Sequence, residues 1–264
     1  MEPIRSLDNP GIRRLSRLLE SARERRELGL AVAEGPHLLS EALTAGRLSE
    51  LWATPEAMES AEAAGLLGRA AQAGVKPRPL SPGLLKRLCQ LPAPQGWLSV
   101  FSLQAQDWPR VASLCLALDG VQDPGNLGTL LRSAWAVGAA LILGPGCADP
   151  WSPKVLRAGV GAQFHVPLQA VEDLVGRLSQ LKQQGLQVLA AAPRSGMDLW
   201  QCDLRRPTCL VLGAEGPGLS PAVRVACDGS VELRYPGSAE SLNVAVSGSL
   251  LLFEALRQRE KSSK

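Results

Sequence analysis

Histidine is scarce in this 264-residue chain, occurring only at positions 37 and 165. A histidine-built metal cluster or nucleophilic triad therefore has too few members, and no metal site is expected. The six cysteines (Cys89, Cys115, Cys147, Cys202, Cys209 and Cys227) form no C-x-x-C pair and no zinc-like spacing. They read as buried, inert thiols in a reducing compartment. No apolar run reaches the roughly 18 residues of a membrane span. The opening Met1-Glu-Pro-Ile-Arg lacks the apolar core of a signal peptide, so a cytoplasmic protein without a membrane partner is expected. No G-K-[ST] is present, which removes a Walker phosphate loop. A nicotinamide-type G-x-G-x-x-G is missing too: Gly213-Ala-Glu-Gly-Pro-Gly218 has that spacing reversed, and Pro217 takes a backbone donor out of the loop. A net charge of +3 does not by itself argue for a polyanionic partner.

What is present is a globular balance of 45% hydrophobic and 20% charged residues, over a length that suits one large domain or two ordinary ones. Residues 12–28 predict one helix, with Ile12, Leu15, Leu18, Leu19 and Ala22 along its apolar stripe. Asn9-Pro10-Gly11 is its start signal and Gly29 its stop. Its other face carries Arg13, Arg14, Arg17, Arg23, Arg25 and Arg26 among Glu20, Glu24 and Glu27. That face is either a solvated surface laced with i,i+4 pairs or a surface for phosphates.

Short apolar runs at 30–33 and 48–53, a helix entered at Pro36, a second helix over 56–73 and a last strand at 97–101 predict a small α/β sandwich. The expected division is a domain over residues 1–103, a linker over 104–112 and a second domain over 113–264. The second domain opens with a continuous apolar run at 113–119, as in a buried parallel strand. Helices are expected at 126–137, 171–184 and 241–259, and strands at 140–143, 186–191, 208–213 and 230–233. Val244, Val246, Leu250, Leu251, Phe253 and Leu256 make up the apolar side of the last helix.

Three glycine-rich stretches in this half each close a strand: Asp123-Pro-Gly-Asn-Leu-Gly-Thr-Leu-Leu-Arg132, Leu210-Val-Leu-Gly-Ala-Glu-Gly-Pro-Gly-Leu219 and Tyr235-Pro-Gly-Ser-Ala-Glu-Ser-Leu-Asn-Val244. Glycine is tolerated where backbone takes positive φ or passes close to another chain or a ligand. Several strand ends converging on one small molecule is the arrangement in which open α/β sheets bind ligands.

In order and spacing, these stretches resemble the three signature motifs of SpoU-type (TrmH-like) RNA ribose methyltransferases of the SPOUT superfamily. Asn126, Gly128, Arg132 and Gly138 match the first motif. Gly213, Glu215, Gly216 and Gly218 match the second, and Pro236, Gly237, Ser241, Leu242, Asn243, Val244 and Glu254 the third. Asp149-Pro-Trp-Ser-Pro-Lys-Val-Leu-Arg-Ala158 is also family-like. One departure is Ala245, where the family often has serine. The N-terminal part is similar to the family's L30e-like substrate-binding domain.

The resemblance implies S-adenosylmethionine as methyl donor, a ribose 2′-hydroxyl as acceptor, a deep C-terminal trefoil knot and a homodimer formed through the SPOUT domain. It implies catalytic roles for Arg132, Asn126, Glu215, Ser241 and Asn243. Donor contacts fall to Leu212, Gly213, Gly218, Tyr235, Pro236 and Leu242, largely through backbone. RNA contacts are expected from Arg13, Arg14, Arg17, Lys154 and Arg157, with Lys154 and Arg157 serving alternatively as a dimer surface. A guanidinium is a poor general base, so Arg132 either has a depressed pKa or orients the hydroxyl and an adjacent phosphate. Asn126 has an alternative role as a helix N-cap, Ser241 and Asn243 as caps of the last helix, and Glu215 as a turn cap or an arginine's partner. Trp135 packs in a helix core or stacks on a base, as Trp151 also could; His165 reads as structural. Ribosomal RNA is the expected substrate, with transfer RNA second. A non-catalytic RNA-binding or ribosome-assembly factor is the rival from outside the enzymes.

Overall fold

A computed structural model describes residues 2–89, 93–104, 108–109, 112–192, 196–238 and 240–262. Most of the expected linker lies outside the described residues. The chain divides into two compact units, one made of Met1–Gln104 with Asp149–Phe164, the other of Ala105–Ala148 with His165–Lys264.

The first unit begins with α1 (Pro10–Glu20) and α2 (Ala22–Leu28) in place of the single expected helix. The break is at Ser21, whose extended backbone ends α1 and whose hydroxyl accepts from Glu24 N at 3.2 Å to cap α2. There follow β1 (Leu30–Glu34), α3 (Pro36–Thr44), β2 (Leu48–Ala53), α4 (Pro55–Met58), α5 (Ala63–Gln72), β3 (Pro77–Pro79), α6 (Pro82–Leu88) and β4 (Trp97–Ser102). The helix expected over 56–73 is likewise two, because Ser60 donates to the Ala57 carbonyl at 2.8 Å and competes with the helical ladder. The strands form one sheet in the order β1-β4-β2-β3. One apolar cluster joins Ile12, Leu15 and Leu18 to Val32, Trp52 and Leu84, and another joins Leu39, Leu51 and Trp97 to Leu66.

The second unit opens with β5 (Leu114–Asp119), α7 (Pro124–Val137) and β6 (Ala140–Leu143). The chain then contributes α8 (Pro153–Gly159) to the first unit, an excursion within the domain expected from residue 113 onward. The physical reason is apolar: Leu156 and Phe164 pack with Ala31, Ala33, Leu38 and Phe101. Arg25, expected on the solvated face of the first helix, is instead 3% exposed. It pairs with Asp149 at 2.6 Å and donates to the Leu19 carbonyl at 3.2 Å.

The second unit resumes with β7 (Leu168–Ala170), α9 (Leu174–Gln183), β8 (Gln187–Ala192), β9 (Met197–Asp198), β10 (Thr208–Gly213), α10 (Pro221–Ala226), β11 (Gly229–Glu232) and α11 (Val244–Ser262). All seven strands pair in parallel, in the order β7-β6-β5-β10-β8-β11-β9. β5 and β10 are adjacent, with Asp119 opposite Gly213, and both are buried along nearly their whole length.

Candidate active site

That register sets two of the glycine-rich loops side by side at the carboxyl ends of β5 and β10. After β5, Asp123 rather than Asn126 is the N-cap of α7: its Oδ1 accepts from Asn126 N at 2.8 Å. Asn126 sits in the first turn with its side chain available. After β10, Ala214 and Gly218 exchange backbone hydrogen bonds of 3.2 and 3.0 Å, closing a tight turn over Glu215, Gly216 and Pro217. The turn leaves no room for a side chain at Gly213, where a Cβ would run into the backbone of Gly218 and Leu219. Asp119 Oδ2 accepts from Ser220 N at 2.7 Å and fixes the far end of the loop. The third stretch leads into α11, which starts at Val244 and not at Ser241. Asn243 is its cap, its Oδ1 accepting from Ala245 N at 2.9 Å and Val246 N at 3.2 Å.

The three loops meet through three side chains. Asn126 Nδ2 donates to Glu215 Oε1 at 2.7 Å, Asn243 Nδ2 donates to the same oxygen at 3.0 Å, and Asn243 Nδ2 lies 3.0 Å from Asn126 Oδ1. A carboxylate thus gathers amides from two loops, and both asparagines are fixed by the helix starts that carry them. Residues more than a hundred positions apart are held as one constellation.

Arg132 and Ser241 stand outside it. Arg132 is exposed on α7 and makes no hydrogen bond or ion pair among the described residues. Six residues beyond Asn126, it is turned about 120° round the helix. Trp135, one turn further, is 43% exposed, which corrects the helix-core alternative for it, and it stacks on His165 with ring centroids 4.2 Å apart and planes 2° from parallel. Trp151 packs in the first unit at 5.8 Å from Phe101 and 6.2 Å from Phe164, and so is not placed as a free base-stacking ring.

Beside the constellation opens a cavity of about 1090 Å³. Leu212, Gly213, Gly218, Tyr235 and Leu242 line it, as do Glu215, Ser241 and Asn243, whereas Pro236 does not. Ala190, Ala191 and Ala192 at the end of β8 also line it. They were missed in the sequence, where their only signal is a run of small residues closing a strand.

The sequence model of the SpoU rRNA Methylase family matches residues 113–253, and that of the MRM3-like substrate binding domain matches residues 9–99. The chain belongs to the SpoU rRNA methylase family. It is 34% identical to an uncharacterized tRNA/rRNA methyltransferase of Synechocystis sp., over 98% of this chain and 95% of that protein. It is 43% identical to the 23S rRNA (guanosine-2′-O-)-methyltransferase RlmB of Pseudomonas syringae, over 57% of this chain and 61% of that enzyme. The match thus spans about three fifths of RlmB. The SpoU methyltransferase AviRb from Streptomyces viridochromogenes, solved with AdoMet, superposes with a TM-score of 0.86 at 28% identity, over 96% of this chain and 98% of AviRb.

This SpoU methylase is an RNA methyltransferase that uses S-adenosylmethionine. The cavity suits the donor. It lies at the upper end of the volumes that hold small ligands. Gly216 and Gly218 have positive φ (85° and 71°), with open space where a Cβ would stand. Among the described residues no group of three or more His, Cys, Asp or Glu side chains could hold a metal ion, and no helix is long and apolar enough to cross a membrane. Burial pushes the Cys115 thiol up to about 12 and that of Cys227 to about 11, so neither forms a thiolate near neutral pH.

In the first unit, Arg13 pairs with Asp8 at 2.7 Å and Arg17 with Glu24 at 3.5 Å, both arginines remaining largely exposed. Arg14 pairs with Glu50 and is half-buried. Leu7, Ile12, Arg13, Ser16 and Arg17 line a groove of about 570 Å³. Lys154 is exposed. Arg157 faces inward, 3.6 Å from the buried Glu34 carboxylate, which sets it apart from the phosphate contact or dimer surface expected of it. Burial raises the pKa of Glu34, opposed by Cys89 and by the Arg157 charge.

Proposed function

We propose that this enzyme methylates a ribose 2′-hydroxyl of ribosomal RNA in the cytoplasm, as a homodimer. The observation that carries the reading is the Asn126–Glu215–Asn243 constellation beside the large cavity. Bound there, S-adenosylmethionine supplies an electrophilic methyl group on a cationic sulfur. Leu212, Gly213, Gly218, Tyr235 and Leu242 hold the donor, mainly through backbone. Glu215 fixes the two asparagine amides, and with Ser241 these orient the ribose. Arg132 takes the adjacent phosphate in a two-pronged grip and holds the attacking oxygen in line with the methyl. The hydroxyl oxygen bonds to the methyl carbon as the carbon–sulfur bond breaks, and its proton passes to solvent.

Ribosomal RNA is favoured by the matched SpoU rRNA Methylase family and by the RlmB relatives named for 23S rRNA. The Arg13–Arg17 groove, with Lys154, supports an RNA surface on the first unit. The homodimer is supported by the exposed stripe Val246, Leu250 and Phe253 on α11, whose spacing keeps it on one face. A knotted C-terminus belongs to the same reading, with α11 packed closely enough that a Cβ at Gly248 would meet the side chain of Leu130.

The decisive experiment supplies methyl-labelled S-adenosylmethionine with transfer RNA, small-subunit RNA and large-subunit RNA from cells lacking the gene, free and in ribosomal particles. Label should map to one 2′-O-methyl nucleotide of a ribosomal RNA. Label in transfer RNA alone would refute the substrate, and donor binding with no transfer to any RNA would favour the assembly-factor alternative. Arg132→Ala should abolish transfer while calorimetry shows donor affinity within a fewfold of wild type.

A further inference from the structure

The donor cavity has an uneven charge. Its wall carries four charged side chains among the described residues: Glu215, Asp228, Glu240 and Arg224. Three are acids. Glu215 is engaged by the two asparagine amides, and Asp228 pairs with Lys182 at 3.0 Å while accepting from Val188 N at 2.8 Å. Arg224, at the end of α10, is exposed, and its guanidinium makes no hydrogen bond or ion pair among the described residues.

S-adenosylmethionine carries a sulfonium, an ammonium and a carboxylate. The first two suit a wall with three acids, but a carboxylate entering it is repelled unless a cation meets it. Arg224 is the one cation on that wall among the described residues, and a guanidinium matches a carboxylate with two parallel hydrogen bonds. Arg224 thus offers an unpaired guanidinium at the exposed edge of a wall that otherwise carries acids.

We propose that Arg224 is a donor-binding residue that pairs with the carboxylate of the donor's amino-acid end. This rests on the donor occupying the cavity between the second and third loops. It adds a side-chain contact, lying between the second and third glycine-rich stretches, to a site otherwise built largely from backbone. Selectivity follows: Arg224 distinguishes the complete donor from adenosyl compounds lacking the carboxylate.

The test is calorimetry on the full chain with two ligands, S-adenosylmethionine and its decarboxylated form, which keeps the sulfonium and the ammonium. Wild type should bind the complete donor about tenfold or more tightly than the decarboxylated one. R224A should lose about tenfold for the complete donor while holding the decarboxylated form within twofold, and R224K should recover part of the loss. R224E should weaken the complete donor further and leave the decarboxylated form bound as well as by wild type. Because Arg224 is exposed, all three variants should melt with wild type. Equal losses for both ligands would overturn the proposal, as would no loss for either, or an effect confined to the KM for RNA. A wild-type chain that binds neither ligand would instead overturn the placement of the donor in this cavity.

Discussion

Asn126 and Asn243 share an acceptor but differ in what else they do, and this separates catalysis from stability. Asn243 satisfies two amides at the start of α11 as well as donating to Glu215, whereas the amides at the start of α7 are served by Asp123. Each alanine variant should lower kcat at least about tenfold, or about 1.4 kcal/mol of barrier. Only Asn243→Ala should also lose about 1 kcal/mol of folding stability through its cap, so thermal melts beside turnover measurements check both expectations. At this scale much of the site could be read from sequence, because Gly213, Gly216 and Gly218 mark places where a Cβ is excluded or φ is positive. The asparagine caps were less legible. Asp123 and Asn126 are both good caps, and choosing between them requires knowing that α7 begins at Pro124. The exposure of Trp135 left no mark at all, since its spacing along α7 suits a core or a surface equally.

Helix α11 shows why periodicity alone does not assign a face. Val244 and Leu251 are buried, but Val246, Leu250 and Phe253, grouped with them by spacing, are 48, 40 and 49% exposed. The helix is apolar on more than one side, with one side packed on α7, where Ser133 and Ser249 hydroxyls meet at 2.7 Å. An unpartnered apolar side fits a subunit interface. Leu250→Glu should accordingly convert dimer to monomer in sedimentation experiments, with donor affinity measured on the same sample. Five of the seven parallel strands are legible as short apolar runs, whereas β7 and β9, of three and two residues, leave no such run, and α7 is legible from its period and its stop at Gly138. Helices such as α6, α8 and α10 are not. Each spans only six or seven residues begun by a proline, too short for a period to emerge.

Over the whole molecule, sequence order and packing disagree in one stretch. Asp149–Phe164 lies between two segments of the second unit yet completes the core of the first. Apolar patterning locates buried residues but does not say which core they enter. Its anchor is Arg25, buried with Asp149 and also bonded to backbone carbonyls at the end of α1. Removing one partner of a buried pair costs about 3 kcal/mol, so Arg25→Ala should destabilise the first unit by roughly that amount. Hydrogen exchange should report the loss in β1 and β4 while β5 and β10 stay protected.

The same excursion bears on how such a protein can diverge. A first unit that ended at residue 104 could be exchanged as one cassette, but this one is encoded in two pieces. Its remainder, Asp149–Phe164, lies between the two segments of the second unit. A change at Arg25 or Asp149, or at Glu34 or Arg157, therefore leaves an ionic partner more than a hundred positions away without its counter-charge. A chimera joined only at the obvious boundary would pair each acid or base with a stranger.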